Sequence, residues 1–208
     1  TGYYLASYVG YSEKHRPTSS SGGVATWLLE TLLAEGIVDH VICVAPTGDP
    51  ERLFAFRVFD TAEEVRTGAG SAYYPVEMSE VIRQVLEVPG RYAVTGLPCF
   101  IKAIRLAQQR NKKLRERIVV TVGLVCGQLK SRHFTDYVAA LAGVRGEVIG
   151  VRYAGRARTT RRVITTMLSR PKTARCAGSS GTRGTLKLGR TGGSRRRPAT
   201  TATTFLPS

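Results

Sequence analysis

Two hydrophobic periods alternate along the first 153 residues. Val24, Leu28 and Leu32 recur at helical spacing beside Trp27 and Thr31, and Gly36 supplies a C-terminal stop. Ile37 to Ala45 then reads as a mostly apolar strand, and Leu53 to Phe59 alternates as another. Asp60 or Thr61 caps a short helix through Arg66, and Ser79 caps a second whose Val81, Ile82, Val85 and Leu86 make an apolar face. Pro89-Gly90 turns the chain into a strand at Tyr92 to Val94. Gly96 permits a tight turn, and Pro98 suits the first position of a helix running through Ile101, Ile104 and Leu106 into a basic face, Arg110 to Arg117. Ile118 to Val125 is the most apolar run, which predicts a central strand. Ser131 to Ala142 reads as a helix and Glu147 to Tyr153 as a strand. This alternation predicts an α/β fold, a largely parallel sheet flanked by helices.

In such sheets ligands sit at the carboxyl ends of the strands. Cys99 and Cys126 each follow a strand end, and Cys99 falls in the first turn of a helix, where the helix dipole favours a thiolate. A thiolate there can ligate a metal cluster, attack an electrophile or serve only in packing. The run Ser19-Ser20-Ser21-Gly22-Gly23 precedes the first helix, and such a loop offers backbone N–H groups to a phosphate. Gly70 to Pro75 is a second glycine-rich loop, with two tyrosines. Cys43 lies inside a strand and reads as core. His15, His40 and His133 are scattered and read as surface or capping residues.

Charge divides the chain. The formal net charge is +16, yet all 15 acidic residues lie between Glu13 and Glu147, against 17 Lys and Arg in residues 1 to 150. The last 58 residues hold 14 Lys and Arg and no acid, with little apolar periodicity. They read as a disordered or non-native basic tail from 154 to 208, following a domain at 1 to 153. Four cysteines without a short-range framework, no secretory pattern and no bilayer-length apolar run point to a cytoplasmic protein without a membrane span. A chain that begins at Thr1 reads as processed or as a fragment.

The segments SSGGVATWLLETLLAEGIVD, GSAYYP, VTGLPCFIKAIR and GLVCGQ, in this order, resemble the family of coenzyme F420 hydrogenase/dehydrogenase beta subunits over about residues 3 to 153. The resemblance implies an oxidoreductase subunit that passes electrons between an iron-sulfur cluster, FAD and a hydride carrier such as coenzyme F420. It also implies a redox partner subunit or ferredoxin-like module. Ser20, Ser21, Gly22 and Gly23 match the loop that meets the flavin phosphates. Gly70, Ser71 and Tyr73 match the loop near the flavin, and Thr95, Gly96, Pro98 and Cys99 match the family's G-x-P-C turn. Cys99 and Cys126 would supply two ligands of a 4Fe-4S cluster, which usually takes four. The flavin carries the hydride chemistry, so no side chain is nominated as general acid or base.

Family members continue past the last strand with a WG pair and a C-x-x-C-x-D segment, and this tail has neither. Codons permitted for Ala199 to Ser208, read two bases on, give NYCDDVFAE. A cysteine precedes it if Pro198 is CCT, and Thr191 to Gly193 yields WG in the same frame. The tail therefore reads as a shifted frame that has removed two cluster ligands, with Cys176 an accident of translation. Its alternative is a basic nucleic-acid-binding arm, the weaker choice because, beyond Tyr153 at its start, Phe205 is its only aromatic. A thiol-disulfide enzyme using Cys99 and Cys126 is a third reading, and it requires their sulfurs within bonding reach.

Overall fold

The computed structural model describes residues 3–156, 163–170 and 182–186. Helix α1 (Val24–Ala34) turns at Gly36, φ 61°, into β1 (His40–Pro46). A hairpin returns as β2 (Phe54–Phe59), antiparallel to β1 from Val41 opposite Phe59 to Pro46 opposite Phe54. α2 (Ala62–Thr67) begins on a capping box, in which the Thr61 hydroxyl accepts from the Glu64 N–H and the Glu64 carboxylate accepts from the Thr61 N–H. α3 (Ser79–Glu87) follows. Its N-cap is Met78 rather than Ser79: the Ser79 N–H and hydroxyl both donate to the Glu77 carboxylate, and the hydroxyl accepts from no helix N–H.

β3 (Tyr92–Gly96) is buried along its whole length and pairs parallel with β1 and with β4 (Ile118–Gly123). Between them lie α4 (Pro98–Arg110), with Pro98 at its first turn, and the short α5 (Lys112–Arg117). The predicted single basic helix is broken because the Asn111 side chain accepts from the Leu114 N–H and starts a new one. The sheet order is β2-β1-β3-β4, with two of its three pairings parallel, so the predicted α/β architecture holds.

α1 and α2 cover one face, where Leu29, Leu32 and Val65 pack on Val41, Ala45 and Ala93. On the other face Val81, Val85, Ile104 and Leu114 meet Ile42, Phe56, Tyr92, Val94 and Ile118. Fully burying one such side chain contributes roughly 1.5–3 kcal/mol, so these two layers carry most of the fold's stability.

The apolar run at 118–125 is not central. Among the described residues β4 is the sheet's edge, with Val119, Leu124 and Val125 exposed, so its hydrophobicity does not reflect cover on both faces. α6 (Arg132–Leu141) leads to β5 (Glu147–Arg156), which joins a separate antiparallel sheet, β5-β6-β7, with β6 (Val163–Arg170) and β7 (Thr182–Leu186). The strands β6 and β7 lie beyond the 153 boundary read from the sequence. Tyr153 anchors a third apolar cluster: it hydrogen-bonds Thr135 and packs among Phe54, Tyr73 and Phe134, with ring centroids 5.2–6.4 Å away. Burial pushes its phenol up to about 12.

Candidate functional site at the carboxyl edge of the sheet

α1 ends beside the start of β1, so its N-terminus and the Ser19–Gly23 loop stand at the carboxyl ends of β1, β3 and β4. α2 runs the same way as β1 and delivers Gly68 to the Val44 carbonyl, where a Cβ would lie 2.9 Å from that oxygen. The Gly70–Pro75 loop follows at this edge. Ser71 bridges to Tyr153 of β5, and Arg152 of the same strand donates to the Thr18 carbonyl. β5 thus touches the Gly70–Pro75 loop and the residue just before the Ser/Gly loop.

The Ser/Gly loop has unusual polar accounting. Ser19 is 7% exposed, Ser20 is half-buried, and neither hydroxyl has a hydrogen-bond partner. Among the described residues the only other buried side-chain polar atom without one is His15 Nε2. It lies 2.9 Å from Glu30 Oε1 without the alignment of a hydrogen bond. No side chain caps α1, and its N-cap Gly23 has φ 76°. A Cβ at that position would stand 2.7 Å from His15 Cβ, so glycine is required both by conformation and by space. Ser12 N–H donates to the Gly22 carbonyl at 2.8 Å and closes the loop at its base.

Thr95 and Gly96 sit inside the edge rather than on it. The Thr95 hydroxyl is used by the Ile42 carbonyl at 3.3 Å, and a Cβ at Gly96 would meet Phe100 Cβ at 3.1 Å. Pro98 and Cys99 open α4 on the surface, while Cys126 follows β4 and is also exposed. Tyr73 is exposed, Gly70 is exposed with φ 124°, and Ser71 is half-buried. Ser20 to Gly23, Gly70 to Tyr73, Pro98, Cys99 and Cys126 lie along this edge, with Thr95 and Gly96 buried just beneath it. Cys43 is buried, with its thiol pushed up to about 12 by desolvation, and cannot act as a thiolate at neutral pH. Cys176 lies outside the described residues.

His15, Glu30, Arg66 and Arg152 stand out in no sequence pattern as members of this site, and Ser19 enters only as the first of the serine run. His15 is buried rather than superficial, at 4% exposed. These four come together only through the fold.

Two models of one family tile the chain: the N-terminal part of the coenzyme F420 hydrogenase/dehydrogenase beta subunit over residues 7–83, and its C-terminal part over 90–177. The chain belongs to that family. Its members are subunits of oxidoreductases acting with coenzyme F420, and the C-terminal match extends past Tyr153 into the basic stretch. An F(420)H(2) dehydrogenase component of Methanosarcina mazei is 28% identical over 124 residues, covering 59% of this chain and 34% of its own. The beta component of the coenzyme F420 hydrogenase of Methanosarcina barkeri is 31% identical over 113 residues, covering 52% and 38%. The chain therefore spans little more than a third of these relatives. One chain of the F420-reducing [NiFe] hydrogenase complex from M. barkeri superposes with a TM-score of 0.58 at 20% identity, over 77% of this chain and 55% of that one, and so shares its fold. Among the described residues no helix is long and apolar enough to cross a membrane.

Proposed function

We propose that this chain is the flavin-binding part of an F420-type oxidoreductase, holding FAD with its phosphates on the Ser19–Gly23 loop and exchanging a hydride with a carrier such as coenzyme F420. One observation carries the proposal: Ser19 and Ser20 bury hydroxyls with no protein partner beside an uncapped helix N-terminus. An unsatisfied buried hydroxyl costs about 1–3 kcal/mol, and a phosphate supplies the missing acceptors for both. The helix N–H groups and dipole add to the same preference for an anion. Gly22 and Gly23 shape the loop itself, since a Cβ at Gly22 would press on the Gly10 carbonyl at 3.2 Å and one at Gly23 on His15 at 2.7 Å. Gly70, Ser71 and Tyr73, with the turn at Thr95, Gly96 and Pro98, are proposed to flank the rest of the flavin.

Bound FAD would interchange a hydride with single electrons. Cys99 and Cys126 are proposed as two thiolate ligands of a 4Fe-4S cluster. Such clusters take four, and no group of three ligand side chains comes together among the described residues. These residues alone do not make a cluster site. A redox partner subunit or ferredoxin-like module is part of the same proposal.

Titration of the purified chain with FAD, followed by flavin fluorescence, tests the phosphate site. Saturable binding that weakens at least tenfold in the Ser19→Ala/Ser20→Ala double variant is expected. Equal affinity in the double variant would remove the loop from the proposal.

A further inference from the structure

Glu30 sits two turns into α1, 6% exposed, and two cationic side chains and an imidazole converge on its carboxylate. Arg66 from the last turn of α2 donates through Nε to Oε1 at 2.7 Å and through a terminal nitrogen to Oε2 at 3.1 Å. Lys14 Nζ donates to Oε2 at 3.1 Å, and His15 Nε2 faces Oε1 at 2.9 Å. The Arg66 guanidinium, chiefly, holds the carboxyl down to about 2, so it is charged at neutral pH.

The partners belong to different parts of the chain. Lys14 and His15 stand on the turn that feeds the Ser/Gly loop, and Arg66 braces the carboxylate from the neighbouring helix. His15 is tied in further. Its Nδ1 shares a 2.7 Å hydrogen bond with Ser12 Oγ, and its carbonyl accepts from both the N–H and the hydroxyl of Thr18, at 3.2 and 3.1 Å. Its Cβ occupies the space beside Gly23 that any larger residue there would need. A buried ionic group costs much of its attraction in desolvation, and what it adds beyond an apolar residue is direction. An apolar side chain at position 30 could pack α1 as well, but it could not fix where the turn 12–18 sits.

We propose that Glu30 is a positioning residue for the phosphate loop. Through His15 and Lys14 it holds the turn that sets the Ser19 and Ser20 hydroxyls against the N-terminus of α1. The inference rests on the flavin reading above and assigns a residue outside the loop to the same site.

The test compares FAD with riboflavin, which carries the ring but no phosphate. Glu30→Gln is expected to weaken FAD at least tenfold and riboflavin less than twofold, measured well below the unfolding temperature of each protein. Arg66→Gln changes an exposed partner without altering the core, and it is expected to give the same selective loss. Combining the two should add little, because they interrupt one network. If FAD and riboflavin weaken equally, Glu30 is only structural and the proposal falls. Unchanged FAD affinity in Arg66→Gln and Glu30→Gln, with the wild type binding normally, also overturns it while leaving the flavin reading intact. A wild type that binds no FAD removes both.

Discussion

The N–H of Leu124 donates to the carbonyl of Gly96 at 2.8 Å, one rung past the Gly96–Gly123 register pair. This bond holds the end of β4 against the turn that opens α4. Cys126 and Cys99 thereby leave the sheet from adjacent strand ends, both exposed and both free thiols.

Thiol labelling should separate them from Cys43. At about pH 8, iodoacetamide is expected to alkylate Cys99 and Cys126 in the native chain and to spare Cys43, whose thiol is buried and held at about 12. Peptide mass spectrometry reads the sites. The Cys99→Ser/Cys126→Ser double variant should shift stability by no more than about 0.5 kcal/mol, since both side chains face solvent. Rapid native labelling of Cys43 would contradict the packing of β1.

Acid should loosen the loop region early. Glu30 has its folded-state pKa lowered from 4.5 to about 2, so its contribution is fully present above 4.5 and is lost as pH falls from there towards 2. The depression corresponds to on the order of 3 kcal/mol at neutral pH. Denaturant midpoints measured near pH 6 and pH 3 should fall more steeply in the wild type than in Glu30→Gln. Parallel curves would show that Glu30 is not held by its cations.

Two glycines with similar backbone angles should respond differently. Gly36, φ 61°, has open space around its Cβ position, whereas Gly23, φ 76°, has His15 within 2.7 Å. Gly36→Ala is expected to cost about 1 kcal/mol from the left-handed conformation alone. Gly23→Ala carries strain of the same kind plus the clash, about 2–3 kcal/mol in all, and should also weaken FAD. Urea unfolding checks the first, and a titration the second.

Much of the fold and of the proposed edge was legible because it depends on local chemistry. Pro98 starts α4, Thr61 caps α2, Gly36 ends α1, and the Ser/Gly loop lies where a helix must begin. What was not legible depends on distant partners. Val119 and Val125 have the composition of a central strand, yet β4 has no strand beyond it among the described residues. Ser79 looks like a cap, but it lies one residue inside the helix, with its N–H and hydroxyl held by the Glu77 carboxylate. His15, Glu30 and Arg66 are separated along the chain and form no motif, so only the packing of α1 on α2 reveals them.

The basic tail makes its own prediction. If it arises from a shifted frame, the nucleotide sequence across codons 150–208 should contain another open frame encoding a WG pair and a C-x-x-C-x-D segment, continuing past codon 208. Stops in both other frames would make the tail genuine and remove that source of cluster ligands.

The phosphate loop is tested most directly by a crystal structure of the chain grown with FAD. The pyrophosphate should lie within hydrogen-bond distance of Ser19 Oγ, Ser20 Oγ and the first backbone N–H groups of α1. FAD bound elsewhere, with both hydroxyls still unpartnered, would contradict the assignment of this loop as the flavin phosphate site.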